Sequence, residues 1–250
     1  MWSARLKPIR APPQFNAEKA CLLMEDECET NELKGLVPCA PIDVNLYEKR
    51  LKNLIHSISD IDIYMVCMNI FEKHWGTLTT IPAAKIMHHA YPHGLLMHTV
   101  DTAELADSAA KKRLGVNRDL LLGGILLHDI GKIYEFECSA CTGLVTSYSE
   151  KGQLLGHAAI GFEMIGHAAK TVKADPHIAN MLQHMVLNHH AIQPSDRMPM
   201  AELEMLRKLD AADSSCERCL ESRRSQTVHT AYRASGAVAP ATNINDDNWF

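Results

Sequence analysis

Residues 120–132 read LLLGGILLHDIGK, a run that is apolar or glycine through its first eight positions. A helix with this pattern is apolar on every side, so it is predicted to lie buried at the centre of a helical protein. The run ends in His128 and Asp129, two polar side chains at the end of the most apolar helix of the chain. A buried ionised carboxylate is costly unless it is paired or binds a cation. The stretch therefore predicts both a helical fold and the place of a polar site.

Apolar residues at spacings of three and four predict further helices on both sides of this run. Asn117 or Asp119 can cap the central helix, and Gly131 can end it. Residues 133–149 alternate instead around a Cys-Thr-Gly tip, which predicts a small β-hairpin. Besides the central helix, the predicted helices span about 43–58, 60–75, 94–114, 153–170, 175–190 and 200–224.

The fold class predicted from these elements is all-α with one small β-hairpin. Residues 1–42 contain five prolines and little periodicity, which predicts an irregular N-terminal arm. Residues 43–224 form the predicted helical domain. Residues 225–250 are rich in Ala, Thr, Asn and Asp, which predicts a flexible C-terminal tail.

The composition excludes several classes of protein. With 46% apolar and 22% charged residues among 250, the chain is neither disordered nor collagen-like. It has no apolar stretch near the roughly 20 residues of a membrane helix, and its first residues lack the apolar core of a signal peptide. A net charge of −5 argues against a broad basic surface for nucleic acid. A cytoplasmic protein without a membrane partner is expected.

The eight cysteines are expected to be mostly reduced thiols, because a chain of this length does not need disulfides. Two pairs have the spacing of zinc ligands, Cys138 with Cys141 and Cys216 with Cys219. These pairs lie far apart in the sequence. They are therefore either the four ligands of a structural zinc or unrelated thiols.

Several of the 14 histidines fall on helix faces that the pattern predicts to be apolar. His98 follows Leu95 by three residues, His189 follows Met185 by four, and Asp210 lies at helical spacing from Leu206. A single histidine of this kind is more often a hydrogen-bonded core residue. Several imidazoles and carboxylates on separate helices, all directed at one interior, predict instead a divalent metal centre.

The order of these residues resembles the HD-domain metal-dependent phosphohydrolases, through His98, His128-Asp129 and Asp210. The additional His157, His189 and His190 resemble the branch of that superfamily that holds two or more metals. The likeness is greatest to the HD domain of YhaM-type 3′→5′ exoribonucleases and covers about 43–215. It is carried by PAAK (82–85), HHAY (88–91), GLLMHT (94–99), HDIGK (128–132), GQLLGH (152–157) and HMVLNHH (184–190).

The sequence also departs from these relatives. The 42 residues before the domain are too few for the OB-fold that the exoribonucleases carry. His93 stands where the family tends to have glycine. The residues after His190 lack both the usual glycine-containing turn and the Gly-Tyr-Pro of the HD-GYP cyclic-dinucleotide phosphodiesterases.

The resemblance implies an HD-domain helical bundle with two divalent metals in its interior. Asp129 would be a catalytic residue that bridges them, and the metals would polarise a phosphoryl group and activate a water for in-line attack. Mixed nitrogen and oxygen ligands suit Mn, Fe, Co, Ni or Zn better than Mg. The implied ligands are His98, His128, Asp129 and Asp210 for one metal, and Asp129, His157, His189 and His190 for the other.

Further residues have implied roles with alternatives. Lys132 could stabilise charge on the phosphoryl group as a catalytic residue, or it could cap helix carbonyls. His88 and His89 could contact substrate phosphate together with Lys132, or they could be a surface pair. Asp213, one turn after Asp210, could replace Asp210 as the ligand, or it could orient a histidine. His184 is expected to lie behind the ligands.

Three functions are compatible with these residues. The first is a metal-dependent phosphohydrolase or phosphodiesterase that acts on a nucleotide or short oligonucleotide. The second is a 3′→5′ exoribonuclease, a nuclease of the same chemistry that the acidic charge balance disfavours. The third is a non-catalytic signalling or interaction module with the same fold. The apparently complete ligand set favours the first function over the third, because a non-catalytic scaffold does not need a buried polar cluster. The sequence leaves open whether RNA is cleaved and whether the chain forms a homo-oligomer.

Overall fold

A computed structural model describes the side chains of residues 37–86, 88–190 and 199–220. It also describes the backbone of two N-terminal strands and of the last helix as far as Ser235. The chain divides into two compact units, one formed by Glu29–Glu217 and the other by Met1–Cys28 with Arg218–Phe250. In the second unit, strand β1 (Leu6–Pro8) pairs antiparallel with strand β2 (Phe15–Ala17). The rest of the predicted arm before 37, and the predicted tail beyond Ser235, lie outside the described residues.

The larger unit is mostly helical and contains one antiparallel hairpin in its described part, which confirms the predicted fold class. In the hairpin, Phe136 pairs with Tyr148. The elements in chain order are α1 (Val44–His56), α2 (Ile61–Leu78), α3 (Gly94–Lys112), α4 (Arg118–Leu127), α5 (Lys132–Glu135), β3 (Phe136–Cys138), β4 (Val145–Tyr148), α6 (Glu150–Val172), α7 (Pro176–Asn188) and α8 (Ala201–Ser235).

Helix α4 is the centre of the hydrophobic core, as its sequence predicts. Every residue in 120–127 is buried. Two glycines allow neighbouring helices to approach it closely: a Cβ at Gly123 would lie 2.5 Å from Ile63 Cγ2, and one at Gly124 would lie 2.3 Å from Met185 Cε. Because α2 and α7 pack against these glycines, the end of α4 lies deep inside the unit.

The start of α4 is fixed by two polar side chains. Asn117 is the N-cap, and its Oδ1 accepts a hydrogen bond from Leu120 N at 3.1 Å. Asp119, the other predicted cap, accepts instead from the backbone N–H groups of Ser59 and Asp60 at 2.7 and 2.8 Å. It therefore joins α4 to the start of α2.

Several predicted local details are wrong. Tyr134 lies in the short helix α5 and not in the hairpin, because a turn at 128–131 leads directly into a new helical turn. Gly131 does not end a helix in a left-handed conformation; its φ is −64°, and it is the N-cap of α5. Helix α8 continues to Ser235, past the predicted end at residue 224.

Among the described residues, we find no helix that is both long enough and apolar enough to span a membrane.

Candidate metal centre

The seven predicted metal ligands come together in two adjacent groups inside the larger unit. They are supplied by α3, by the turns that follow α4 and α7, by α6 and by α8. Within each group, the potential ligand atoms all lie within 4.8 Å of one another. We call them the first group (His98, His128 and Asp210) and the second group (Asp129, His157, His189 and His190).

The carboxylate of Asp129 lies between the two groups. Its Oδ2 is 3.6 Å from His98 Nε2 and 3.4 Å from His128 Nε2. Its Oδ1 is 3.5 Å from His157 Nε2 and 3.9 Å from His189 Nε2. Asp129 is 4% exposed, and Oδ1 has no hydrogen-bond partner among the described residues. One oxygen is therefore directed at each group, which is the arrangement of a bridging ligand.

Backbone carbonyls fix the tautomer of two of the histidines. His128 Nδ1 is 2.7 Å from Ile125 O, and His189 Nδ1 is 2.6 Å from Val186 O. A carbonyl only accepts, so Nδ1 carries the proton in each ring. When these rings are neutral, Nε2 is left with a lone pair, which is the form that binds a metal.

Carboxylates play the same part for two further histidines, His98 and His157. His98 Nδ1 is 2.7 Å from Asp213 Oδ2, and His157 Nδ1 is 3.2 Å from Glu135 Oε1. Nε2 of both rings is again directed at the centre. Glu135 was not predicted from the sequence as part of the site.

The facing ring nitrogens test whether a cation fits. His98 Nε2 and His128 Nε2 are 3.2 Å apart, and His157 Nε2 and His189 Nε2 are 3.3 Å apart. With Nδ1 protonated, neutral rings would bring two lone pairs together in a buried space, which is unfavourable without a proton or a cation between them. A divalent cation would satisfy these nitrogens and the unpartnered oxygen of Asp129 together. The residues therefore fit a metal centre.

The protonation states of Asp129 and His189 are those that metal ligands require. Burial raises the pKa of Asp129, but the nearby cations of Lys132 and His128 outweigh it and hold that pKa well below its ordinary value. Burial lowers the pKa of His189, and a charged His128 lowers it further. Asp129 is thus ionised and His189 is neutral near pH 7.

The two aspartates of α8 have separate positions, although they lie one turn apart. Asp210 Oδ1 is 3.4 Å from His98 Nε2, on the side of the ligand nitrogens. Asp213 holds the opposite nitrogen of the same ring and also lies 3.0 Å from His89 Nε2. Burial raises the pKa of Asp213, but hydrogen bonds from His89 and His98 lower it below its ordinary value. This geometry favours Asp210 as the ligand and Asp213 as the residue that orients His98.

The comparison with protein families agrees with this placement. Residues 95–218 match the HD domain family. The match begins three residues before His98 and includes both groups. It supports the HD-domain phosphohydrolase superfamily, whose members are generally metal-dependent hydrolases. The particular likeness to YhaM-type exoribonucleases stays a prediction, and no solved structure matches the chain.

Lys132 lies beside the carboxylate of Asp129. Its Nζ is 2.6 Å from Asp129 Oδ2, and its side chain is 14% exposed. The amine therefore contacts a ligand of the centre, and this placement supports a role in the site over the capping of helix carbonyls.

His88 and His89 differ in position within the structure. His89 is 1% exposed, and its two ring nitrogens lie 3.1 Å from Tyr91 Oη and 3.0 Å from Asp213 Oδ2. It therefore supports the residue that orients His98. His88 Nε2 is 2.7 Å from Ser214 Oγ, and its Nδ1 is buried without a hydrogen-bond partner in the described part of the chain. Substrate contact by either residue stays a prediction.

Arg207 of α8 fixes the end of α7, just before His189 and His190 of the second group. Its guanidinium donates to Asn188 O at 3.1 and 2.6 Å. His184 lies one turn earlier, with Nδ1 3.3 Å from Asn188 Nδ2. His184 therefore contacts Asn188, the residue before His189, and its place behind the ligands stays a prediction.

The described residues do not support a zinc site at the cysteine pairs. The groups of three or more potential ligands found among residues 37–86, 88–190 and 199–220 contain no cysteine. A structural zinc held by Cys138, Cys141, Cys216 and Cys219 stays a prediction.

Proposed function

We propose that the protein is a metal-dependent phosphohydrolase or phosphodiesterase that acts on a nucleotide or a short oligonucleotide. The observation that carries this proposal is the position of Asp129, with one carboxylate oxygen directed at each of two groups of histidine nitrogens. The match to the HD domain supports the reaction class. The nucleotide substrate comes from the resemblance of the sequence motifs.

The residues of the centre would hold two divalent cations. When bound, such a pair supplies charge that stabilises a phosphoryl group and lowers the pKa of a water towards neutrality. Asp129 would belong to both cations, with the first group completing one set of ligands and the second group completing the other. Mixed imidazole and carboxylate ligands favour Mn, Fe, Co, Ni or Zn over Mg.

Lys132 and His88 are the proposed contacts to the phosphoryl group. Lys132 Nζ donates to Asp129 Oδ2 and can shift towards the oxygens of a bound phosphoryl group, whose developing charge it would stabilise. For His88, the proposed role is donation from Nδ1. If the Ser214 hydroxyl donates to Nε2, the ring proton lies on Nδ1, which has no partner among the described residues.

Metal analysis followed by hydrolysis assays tests the proposal. We expect bound transition metal in the purified protein and hydrolysis of bis-p-nitrophenyl phosphate and of mononucleotides. Asp129→Asn should reduce the rate by about 10³-fold or more, because it weakens both cation sites. Asp62→Asn, in the first turn of α2, is the control and should keep full activity.

Three results would change the conclusion. A protein without metal that stays inactive with added Mn²⁺ would support the interaction module. Shortening of a labelled RNA from its 3′ end would establish the exoribonuclease. Full activity of Asp129→Asn would contradict the proposed role of the bridging carboxylate.

A further inference from the structure

Helix α6 is interrupted immediately before His157. Gly156 has φ 68° and ψ 161°, a conformation that is essentially restricted to glycine. A second helical segment starts at His157, whose backbone N–H donates to a side chain outside α6. Glu135 Oε1 accepts this hydrogen bond at 3.0 Å. The side chain of Glu135 thus acts as the cap of the second segment, although it belongs to a different helix.

The same carboxylate holds the ring of His157. Nδ1 of His157 lies 3.2 Å from Oε1 and 3.2 Å from Oε2 of Glu135. One side chain therefore fixes both the backbone and the imidazole of this residue. The tautomer and the direction of Nε2 follow from this single contact.

Glu135 is itself held rigidly. It is 7% exposed, and its backbone oxygen accepts from Ser149 N at 2.9 Å. A Cβ at Gly152 would lie 2.5 Å from that oxygen, and a Cβ at Gly131 would lie 2.0 Å from His157 O. Helices α5 and α6 therefore approach so closely that the carboxylate has little freedom to move away.

From this geometry we infer that Glu135 is the positioning residue for His157 in the second group, and that the first group does not depend on it. This inference rests on the proposed metal centre. The histidines of the first group are held by other partners, His98 by Asp213 and His128 by Ile125 O. Removal of Glu135 should therefore weaken one cation site and leave the other intact.

The negative charge of Glu135 adds to this role. The start of a helix carries a partial positive charge, here next to a site that would hold a cation. The carboxylate offsets that charge, whereas a glutamine would keep the hydrogen-bond acceptor without the charge. Glu135→Gln should thus lie between the wild type and Glu135→Ala.

Titration of the metal-free full-length protein with Co²⁺, followed by its visible absorption, tests the inference. We expect two equivalents to bind the wild type. We call the cation at the first group the first equivalent and the cation at the second group the second equivalent. In Glu135→Ala the dissociation constant of the second equivalent should rise about 10- to 100-fold, the usual effect of losing a residue that orients a ligand. The first equivalent should be unchanged. Glu137→Ala, which removes an exposed carboxylate from the adjoining strand, should bind like the wild type.

A double-mutant cycle with His157→Ala separates positioning from general structural damage. If Glu135 acts through His157, the double variant should bind the second equivalent no more weakly than His157→Ala alone. An additional loss in the double variant would overturn the inference. If Glu135→Ala fails to fold, the same titration is made with Glu135→Gln. An equal loss of affinity for both Co²⁺ equivalents in that variant would contradict the inference.

The two proposals fail in different ways. A wild type that takes up no Co²⁺ would overturn the proposed function. A wild type that binds two equivalents, with both affinities unchanged in Glu135→Ala, would overturn only the role of Glu135.

Discussion

Four of the five histidines of the centre have an acceptor behind the ring, and the type of acceptor differs between them. His98 and His157 are held by carboxylates, whereas His128 and His189 are held by the backbone carbonyls of residues 125 and 186. A carboxylate behind a ring raises the basicity of its ligand nitrogen. The carboxylates are also the only two of these acceptors that substitution can remove without altering the backbone.

Asp213→Asn should weaken the first group selectively. The amide can direct an N–H at His98 Nδ1 instead of accepting from it, so the preferred tautomer is lost. We expect the affinity for one Co²⁺ equivalent to fall about 10- to 100-fold. The control is Glu72→Gln, which removes the charge of an exposed carboxylate on α2 and should leave Co²⁺ binding unchanged. Unchanged binding of both equivalents would show that Asp213 does not orient His98.

Metal binding should release protons near pH 7. Burial lowers the pKa of His128, but Asp129 outweighs it and raises that pKa to about 9 in the metal-free protein. A cation must displace this proton, so metal affinity should fall as the pH falls below about 9. Calorimetric titration with Mn²⁺ in buffers of different ionisation enthalpy measures the release. Identical heats in all buffers would contradict it.

At the scale of elements, α6 depends on one backbone conformation. Gly156 allows the helix to stop and restart, and this places His157 at the first position of the second segment. Among the residues that the structure describes, a Cβ at residue 156 would meet only Glu135 Oε1, at 3.9 Å. The requirement for glycine is therefore conformational and not one of space.

Gly156→Ala should destabilise the protein by about 1–3 kcal/mol, because alanine is strained at this φ and ψ. It should also weaken the second metal equivalent. Gly76→Ala is a matched control, since this glycine lies within α2 and a Cβ there would meet nothing within 4 Å. Alanine at 76 should stabilise by about 0.4–1 kcal/mol. Chemical denaturation of both variants measures the difference, and equal stabilities would contradict the strain at 156.

The elements that carry the ligands could be predicted because polar residues stand out on apolar helices. His98 and Asp210 follow apolar residues at helical spacing, and the structure brings both into the first group. The turn after α4 was less predictable. Whether Gly131 ends a helix or permits close contact depends on α6, which lies later in the sequence and packs against it.

The residues behind the ligands could not be predicted for a similar reason. Glu135 acquires its role only because α6 breaks at Gly156, and neither event has a local sequence signal. His89 is buried by a contact with Asp213, a residue more than a hundred positions away. Only the tertiary arrangement distinguishes such a histidine from a surface one.

At the scale of the whole molecule, the two groups connect elements that are far apart in sequence. The ligands come from α3, α6, α8 and the turns after α4 and α7. Because each group takes its ligands from at least three elements, a cation held by either group would bind the folded state and not the unfolded chain. Metal binding and folding are therefore thermodynamically coupled.

Added Mn²⁺ should raise the melting temperature of the metal-free protein. At a free concentration of 100 times the dissociation constant, one site contributes about 2.7 kcal/mol. Excess chelator should reverse the shift, and Asp129→Ala should show a much smaller one. Differential scanning calorimetry provides the measurement. An unchanged melting temperature at saturating metal would contradict the coupling.

The complete burial of α4 affects how the centre can adapt. Its amides should exchange with deuterium only when the whole unit unfolds, because no smaller opening exposes a helix packed on all sides. His128 and Asp129 are attached directly to this helix and share its rigidity. Any adjustment of the candidate centre must therefore come from the outer elements, because the buried end of α4 fixes the position of the Asp129 carboxylate.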